Sequence, residues 1–301
     1  MTHENPLAYL LGLEGLALLR TFTGEYDGEF AAARIAEVRR LLDDERLARA
    51  GVEVDRIDPG EGYRIWSRTY DSPNSAFDTD GPALGDLLDG LPAGTALDAA
   101  CGTGRMSAVL ADRGHAVIGV DGSPDMLARA RERVPDGDFR TGDLHRLPVA
   151  DASVDLVVCA LALTHVPDLR PVLAEFGRVL RPGGHLVTSD VHPEQVARSA
   201  VPALRDDDGR PGRLASHVHR IGDYVRAALA AGFAVRSCEE PRPVVTRPEP
   251  SQAAGDPGTA VANGPWELWP WSLAALVPEA ARAASADVPG VVVWHFQLAE
   301  G

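Results

Sequence analysis

The stretch Thr95-Ala96-Leu97-Asp98-Ala99-Ala100-Cys101-Gly102-Thr103-Gly104-Arg105 constrains the fold of this chain more than any other. It reads as a short buried strand that runs into a glycine turn. A helix pattern follows, with Met106, Val109 and Leu110 on one face. Gly102 and Gly104 have no Cβ, so the turn is tight and a ligand can reach the backbone. The helix points its free N–H groups and positive dipole end at the loop, which suits an anionic group such as a carboxylate. Asp98, at the strand end, can hold an ammonium.

A second strand, His115-Ala116-Val117-Ile118-Gly119-Val120-Asp121, ends in another acid. A carboxylate about 20 residues past a glycine loop is placed to accept from ribose hydroxyls. The pair of strands therefore reads as a nucleoside site. A dinucleotide would call for Gly-x-Gly-x-x-Gly, but Ser107 stands at the third glycine, and Asp98 would lie close to a pyrophosphate. S-adenosylmethionine, with its amino acid end, suits both Asp98 and the loop amides.

At this point the sequence resembles the class I S-adenosylmethionine-dependent methyltransferases, in the small-molecule branch that includes ubiquinone and menaquinone enzymes. Asp98 to Gly104 is similar to that family's first motif, and Asp121 to its ribose acid. Gly142-Asp143-Leu144 resembles the adenine-side motif, and Leu180-Arg181-Pro182-Gly183-Gly184 the turn before the fifth strand. The motifs stand in family order over roughly residues 60–240, with the last strand near residues 290–298. The resemblance implies an α/β fold, a Rossmann-like, mostly parallel seven-stranded sheet, and S-adenosyl-L-methionine as cofactor. It also implies a cofactor set of Tyr63, Tyr70, Asp98, Ala100, Gly102, Gly104, Arg105, Asp121, Gly122, Met126, Gly142, Asp143, Leu144 and Ala160. Tyr70 carries the position from which a Tyr-Asp pair closes over the cofactor's methionine end. A branched side chain at Gly104 is expected to enter the cofactor's space.

The chain has 301 residues, 45% apolar and 24% charged, enough for one large domain or two smaller ones. Its formal charge is −15, which disfavours a nucleic-acid partner. All 29 basic residues are arginine, a composition typical of a high-GC bacterial gene. Cys101, Cys159 and Cys238 show no metal spacing and suggest a reducing compartment. The absence of a charged leader and of a long apolar run gives the expectation of a cytoplasmic enzyme with no membrane partner.

Residues 1–58 read as an N-terminal helical extension, with helices at 7–20 and 29–49. They serve either as a packing cap or homodimer surface, or as a substrate lid. Residues 51–62 read as loop, and residues 59–301 as the cofactor-binding domain. Ser123 is an N-cap followed by Pro124. Residues 151–161 form a continuous apolar run of the kind a central parallel strand shows. A helix over 169–181 ends at Pro182-Gly183-Gly184. Residues 194–216 mix Val196, Val201 and Leu204 with a charge run, Arg205 to Pro211, that reads as a solvated loop, and residues 233–239 and 291–296 read as the last two strands. The interval 243–287, with Trp266, Trp269 and Trp271 and then Leu273, Leu276 and Val277, reads as a lid insertion opposite the N-terminal helices, or as a tethered helix that only covers core.

Methyl transfer from a sulfonium needs position and a dry site, with a base only where the acceptor loses a proton. His165 and His192, after the fourth and fifth strands, are the candidate catalytic residues, with Asp190 able to orient His192. His217 and His219 are reserves. No acid pair stands at the ends of strands four and five, so no metal is expected. The expected reaction is metal-independent methyl transfer to an O, N or C atom of a small apolar or aromatic acceptor. Its rivals are non-methyl chemistry on the same fold and a non-catalytic partner subunit.

Overall fold

The computed structural model describes residues 2–67, 70–71, 75–198, 201–205, 210–242 and 271–300. The chain divides into two compact units.

The first unit comprises residues 1–57, 202–213 and 245–288. Its sheet has the order β1 (Thr2–Glu4), β2 (Val52–Ile57), β9 (Pro211–Leu214), β8 (Ala203–Arg205). One sequence expectation gives way here. Residues 51–62 are not loop, because Val52, Val54 and Ile57 lie in a strand that pairs antiparallel with β1. Residues 194–216 contain the β8–β9 hairpin, paired from Ala203–Arg213 to Arg205–Pro211.

Helix α1 (Pro6–Leu19) starts at Asn5, whose Oδ1 accepts from the amides of Leu7 (2.8 Å) and Ala8 (3.4 Å). The expected helix over 29–49 is two helices, α2 (Gly28–Leu42) and α3 (Glu45–Arg49), because Asp44 takes an extended conformation and caps the second. Leu273, Val277, Ala280 and Ala283 form one core with Leu10, Ala17, Leu41 and Leu47. They come from a 3-10 turn, Trp271–Leu276, and helix α11 (Pro278–Ser285). So the described part of the interval, residues 271–287, packs on the N-terminal helices and does not stand opposite them. Trp266 and Trp269 lie outside the described residues. Inside this core Glu14 is fully buried and accepts from Arg34 at 3.1 Å, and Arg34 also bonds Glu279 at 2.8 Å.

The second unit comprises residues 58–201, 214–244 and 289–301. It holds α4 (Pro59–Trp66), α5 (Ser75–Asp89), β3 (Thr95–Ala99), α6 (Arg105–Asp112), β4 (Ala116–Asp121), α7 (Pro124–Arg133), β5 (Asp138–Thr141), β6 (Val154–Ala160), α8 (Leu169–Val179), β7 (Leu180–Val191), α9 (Pro193–Ala197), α10 (Ile221–Ala230), β10 (Phe233–Glu239) and β11 (Val291–Leu298). The seven-stranded sheet has the order β10-β11-β7-β6-β3-β4-β5. The five strands from β7 to β5 are parallel, and β11 runs antiparallel to both neighbours. Strand β7 starts at Leu180, so the turn Arg181-Pro182-Gly183-Gly184 counts within the strand and α8 ends two residues earlier than expected.

The central strands are covered on both faces, which is why they read as unbroken apolar runs. Leu97, Val157 and Leu186 face Leu173, Phe176 and Tyr224. Ala96, Leu156, Val158 and Val187 face Leu84, Leu88, Met106 and Leu110. Parallel register brings the C-terminal ends of β3, β4, β5 and β6 to one edge, where ligands of open α/β sheets sit. Among the described residues no helix is long and apolar enough to cross a membrane.

Candidate active site

Three residues of the loop after β3 have positive φ: Ala100 (+58°), Gly102 (+53°) and Gly104 (+81°). The left-handed turns reverse the chain into α6, and at Ala100, which has a Cβ, the conformation is strained. The loop is held by Cys101 N–H to the Val120 carbonyl (3.0 Å) and Gly104 N–H to the Cys101 carbonyl (2.8 Å). A Cβ on Gly102 would meet only the Tyr70 ring, at 3.8 Å. A Cβ on Gly104 would lie 3.1 Å from both Cα and Cβ of Ala130. Gly104 therefore lets α6 approach α7. A side chain added here would meet Ala130 first, so the expectation that it would enter the cofactor's space gives way to this contact.

The two acids hold the loop from below and from the side. Asp98 is buried, and its Oδ2 accepts from Ser107 Oγ at 2.6 Å. Burial lifts its pKa to about 6 against the lowering effect of that bond. Ser107, at the dinucleotide fingerprint's third glycine, is thus the partner of the acid. Asp121 accepts from the Gly102 amide at Oδ2 and from the Ser123 amide at Oδ1, both 2.8 Å. The Gly122 amide also bonds this carboxylate, which still keeps part of its acceptor capacity for a ligand.

Around this edge lie the remaining expected residues. Gly122 adjoins Asp121, and an added Cβ there would meet the Gly142 carbonyl at 3.7 Å. Gly142 is a packing glycine, since a Cβ would strike Pro148 and Val120 at 2.6 and 2.9 Å. Asp143 is exposed and folds its Oδ1 back onto the His145 amide and Nδ1, each at 2.7 Å. Leu144 packs on the core. Ala160 ends β6, half-buried, before Leu161 at φ +56°. Met126 is 1% exposed, so its side chain belongs to the core and offers no face to an adenine, contrary to expectation.

Above the loop stands an aromatic group. Tyr63 meets Trp66 (ring centroids 5.5 Å), Tyr70 (5.9 Å) and His165 (5.5 Å), and Tyr70 meets Phe77 (5.4 Å). The Arg105 side chain is not free for a ligand. Its NH1 and NH2 bond the buried Asp80 at 3.0 and 2.7 Å, and it stacks 4.5 Å from the Phe77 ring. Asp80 also accepts from Ser189 Oγ at 3.0 Å. Asp71 accepts from Thr103 Oγ1 (2.7 Å) and pairs with Arg133 (2.9 Å). Sequence reasoning missed Asp80 and Arg133, because nothing in local spacing marks a pairing across 25 or more residues.

The two candidate histidines differ. His165 lies in the turn Leu163–His165, and its Nδ1 donates to the Ala215 carbonyl at 2.8 Å. That bond fixes the proton on Nδ1 and leaves the Nε2 lone pair available. Burial lowers its pKa, so the ring is neutral at pH 7. His192 is corrected. Its Nδ1 accepts from the Glu194 amide (3.2 Å), and its Nε2 donates to Glu240 (2.8 Å). With both nitrogens used and 4% exposure, it is a structural cap of α9. Asp190 does not orient it, since Asp190 accepts from Val191 N–H (2.8 Å) and Tyr224 O–H (3.0 Å). His217 N–H donates to the Thr164 carbonyl (2.7 Å) and His219 Nε2 to that of Val166 (2.7 Å), so both brace the His165 turn.

Residues 97–188, which span the loop, Asp121, the Asp143 turn and His165, match the family described as "Methyltransferase domain". The chain is 37% identical over 149 residues to a demethylmenaquinone methyltransferase of Beutenbergia cavernae, covering 48% of this chain and 62% of that protein. It is 37% identical over 180 residues to an arsenite methyltransferase of Halobacterium salinarum, covering 54% and 45%. The chain carries a class I S-adenosylmethionine-dependent methyltransferase domain. It spans about half the length of such curated relatives. A solved DhpI–SAH complex shares the methyltransferase fold at TM-score 0.53 and 22% identity, covering 80% of this chain and 95% of that one. The donor set of this methyltransferase domain fits its cofactor: a bare loop face at Gly102, a helix N-terminus, and a carboxylate with lone pairs to spare at Asp121.

Proposed function

We propose that this chain transfers a methyl group from S-adenosylmethionine, without a metal, to an O, N or C atom of a small, largely apolar or aromatic acceptor. The observation that supports it most is the 2.8 Å bond from the Gly102 amide to Asp121, under the Tyr70 ring. It joins the loop that suits an amino acid end to the acid that suits a ribose. When bound, S-adenosylmethionine supplies an already activated methyl group. Asp121 holds the ribose hydroxyls with its remaining lone pairs, and the loop amides at the start of α6 face the carboxylate. Asp143 and Leu144 border the adenine. Tyr63 and Tyr70 exclude water, which an in-line displacement requires. Where the acceptor is an O–H or N–H, His165 Nε2 would take its proton.

The relatives bear names with acceptors as different as demethylmenaquinone and arsenite, so the acceptor atom is left as O, N or C. Asp121→Ala should weaken S-adenosylmethionine at least tenfold in calorimetry, since charge-assisted bonds contribute roughly 1.5–3 kcal/mol each. Unchanged affinity in a folded variant would sink the cofactor assignment. Formation of S-adenosylhomocysteine in the presence of EDTA, with naphthoquinol, phenol and amine acceptors offered in turn, separates methyl transfer from non-methyl chemistry on the same fold.

A further inference from the structure

Residues 215–219, just before α10, form a strap along the turn that carries His165. His165 Nδ1 donates to the Ala215 carbonyl at 2.8 Å, and the His217 amide donates to the Thr164 carbonyl at 2.7 Å. Thr164 Oγ1 donates to the His217 carbonyl at 3.3 Å. His219 Nε2 donates to the Val166 carbonyl at 2.7 Å. His219 is buried, so with that nitrogen engaged it does not meet an acceptor itself. Its ring meets Tyr224 edge-on at 6.0 Å, and the Tyr224 hydroxyl donates to the buried Asp190 at 3.0 Å. Asp190 in turn accepts from the Thr164 amide. The network closes on itself: it leaves the turn at Val166, passes through His219, Tyr224 and Asp190, and returns at Thr164. The end of β7 and the first turns of α10 are its anchors. The partner of one ring nitrogen decides where an imidazole keeps its proton. Without such a partner, an imidazole in water keeps it mostly on Nε2, the atom that must be bare here to take one from an acceptor. The place of the Ala215 carbonyl therefore decides whether His165 can act as a base.

We propose that His219 is a positioning residue for proton transfer: by tying the strap to the turn at Val166, it holds the Ala215 carbonyl against His165 Nδ1 and keeps Nε2 bare. This rests on the reading of His165 as the base in methyl transfer. The device serves acceptors that must lose a proton, and an acceptor with none to lose gains nothing from it.

Nitrogen-15 NMR of the histidine rings reads the tautomer directly, with His165→Gln identifying the signal. The wild-type protein should show His165 with its proton on Nδ1. His219→Phe keeps a ring against Tyr224 but cannot donate, and should populate the Nε2–H form of His165. His219→Gln, whose amide N–H reaches for the same carbonyl, should restore the wild-type pattern. An Nδ1–H signal in all three proteins would overturn the proposal. A Gln variant as disturbed as the Phe variant overturns it too, since ring packing and not the bond would be the cause. If His219→Phe does not fold, Thr164→Val removes the 3.3 Å bond to the His217 carbonyl and should shift the tautomer the same way; an unmoved signal there counts against the strap. In turnover, with naphthoquinol, phenol and amine acceptors, His219→Phe should lower kcat roughly threefold to tenfold as the competent tautomer is depleted, with S-adenosylmethionine affinity unchanged. Where His165 is already Gln, the same change should cost less than about twofold, because the two residues act as one unit. Fully additive losses would overturn the proposal. Normal turnover in His165→Gln, or no S-adenosylhomocysteine from the wild-type protein with any acceptor, would instead refute the base or the methyl-transfer reading, while the tautomers still report on the strap.

Discussion

Gly104→Ala is expected to destabilise the protein by roughly 1–3 kcal/mol, because the new Cβ meets Ala130 and the residue must keep a left-handed φ. Denaturant unfolding reads this directly. If stability holds while S-adenosylmethionine affinity falls, the glycine faces the cofactor after all. Asp190 sets a second test. Burial raises its pKa from 3.8 to about 7, against the bonds from Val191, Tyr224 and Thr164. The fold therefore binds this proton more tightly than the unfolded chain does. Its contribution is full below about pH 4 and is lost as pH climbs towards 7. Asp98, lifted to about 6, acts in the same direction. Asp190→Asn cannot ionise, so its Tm relative to wild type should rise between about pH 4 and pH 7. A flat difference would show that Asp190 titrates like an ordinary carboxylate. At this scale Gly102 and Asp121 were legible because each acts through its own backbone position. Arg105 and His192 were not, because Asp80 and Glu240, 25 residues before and 48 after them, decide where the side chains go.

Helix α1 shows how far an element can be read from its pattern. Its apolar run announced a buried helix, and Leu10 and Ala17 are fully buried. The run gave no hint of the use of Glu14, which only α2 reveals by bringing Arg34 to it. Removing one partner of a buried pair leaves an uncompensated charge, so Arg34→Met should cost about 3–5 kcal/mol in the denaturant unfolding of the first unit. The double variant Glu14→Leu, Arg34→Met should recover most of that loss. If the single variant is as stable as wild type, the pair contributes nothing to this core. The sheet was legible for a simpler reason: strands covered on both faces give apolar runs, as in Leu156 to Ala160 of β6 and Ala116 to Val120 of β4, and the family motifs mark the ends of β3 and the start of β7. Strand β2 escaped because its apolar-charged alternation lasts only from Val52 to Asp55 before Arg56 breaks it, and the Pro-Gly turn signals beside it outweighed so short a period two.

The two units have separate cores, which decides what removal of residues 243–287 would do. A short Gly-Ser replacement takes away Leu273, Val277, Ala280 and Ala283, and so uncovers Leu10, Ala17 and Leu41. The first unit should lose its unfolding transition, while S-adenosylmethionine affinity, which depends on β3 and β4, stays within about threefold. Loss of both together would mean that the cores are coupled. The sequence marked the interval by its length but could not show what its second half packs against. Where that interval leaves and rejoins the sheet, Gly290 N–H donates to the Pro241 carbonyl and His192 N–H to the Gly290 carbonyl, both at 3.0 Å. His192 also grips Glu240, the residue before the departure point. The two roots of a long excursion are thus knotted together on a fixed strand end. Closing a loop costs only about 0.6 kcal/mol more for each doubling of its length. Such a joint works as a socket: evolution or an engineer can exchange what is plugged in between Pro241 and Gly290, at almost any length, while the methyl-donor half keeps its register.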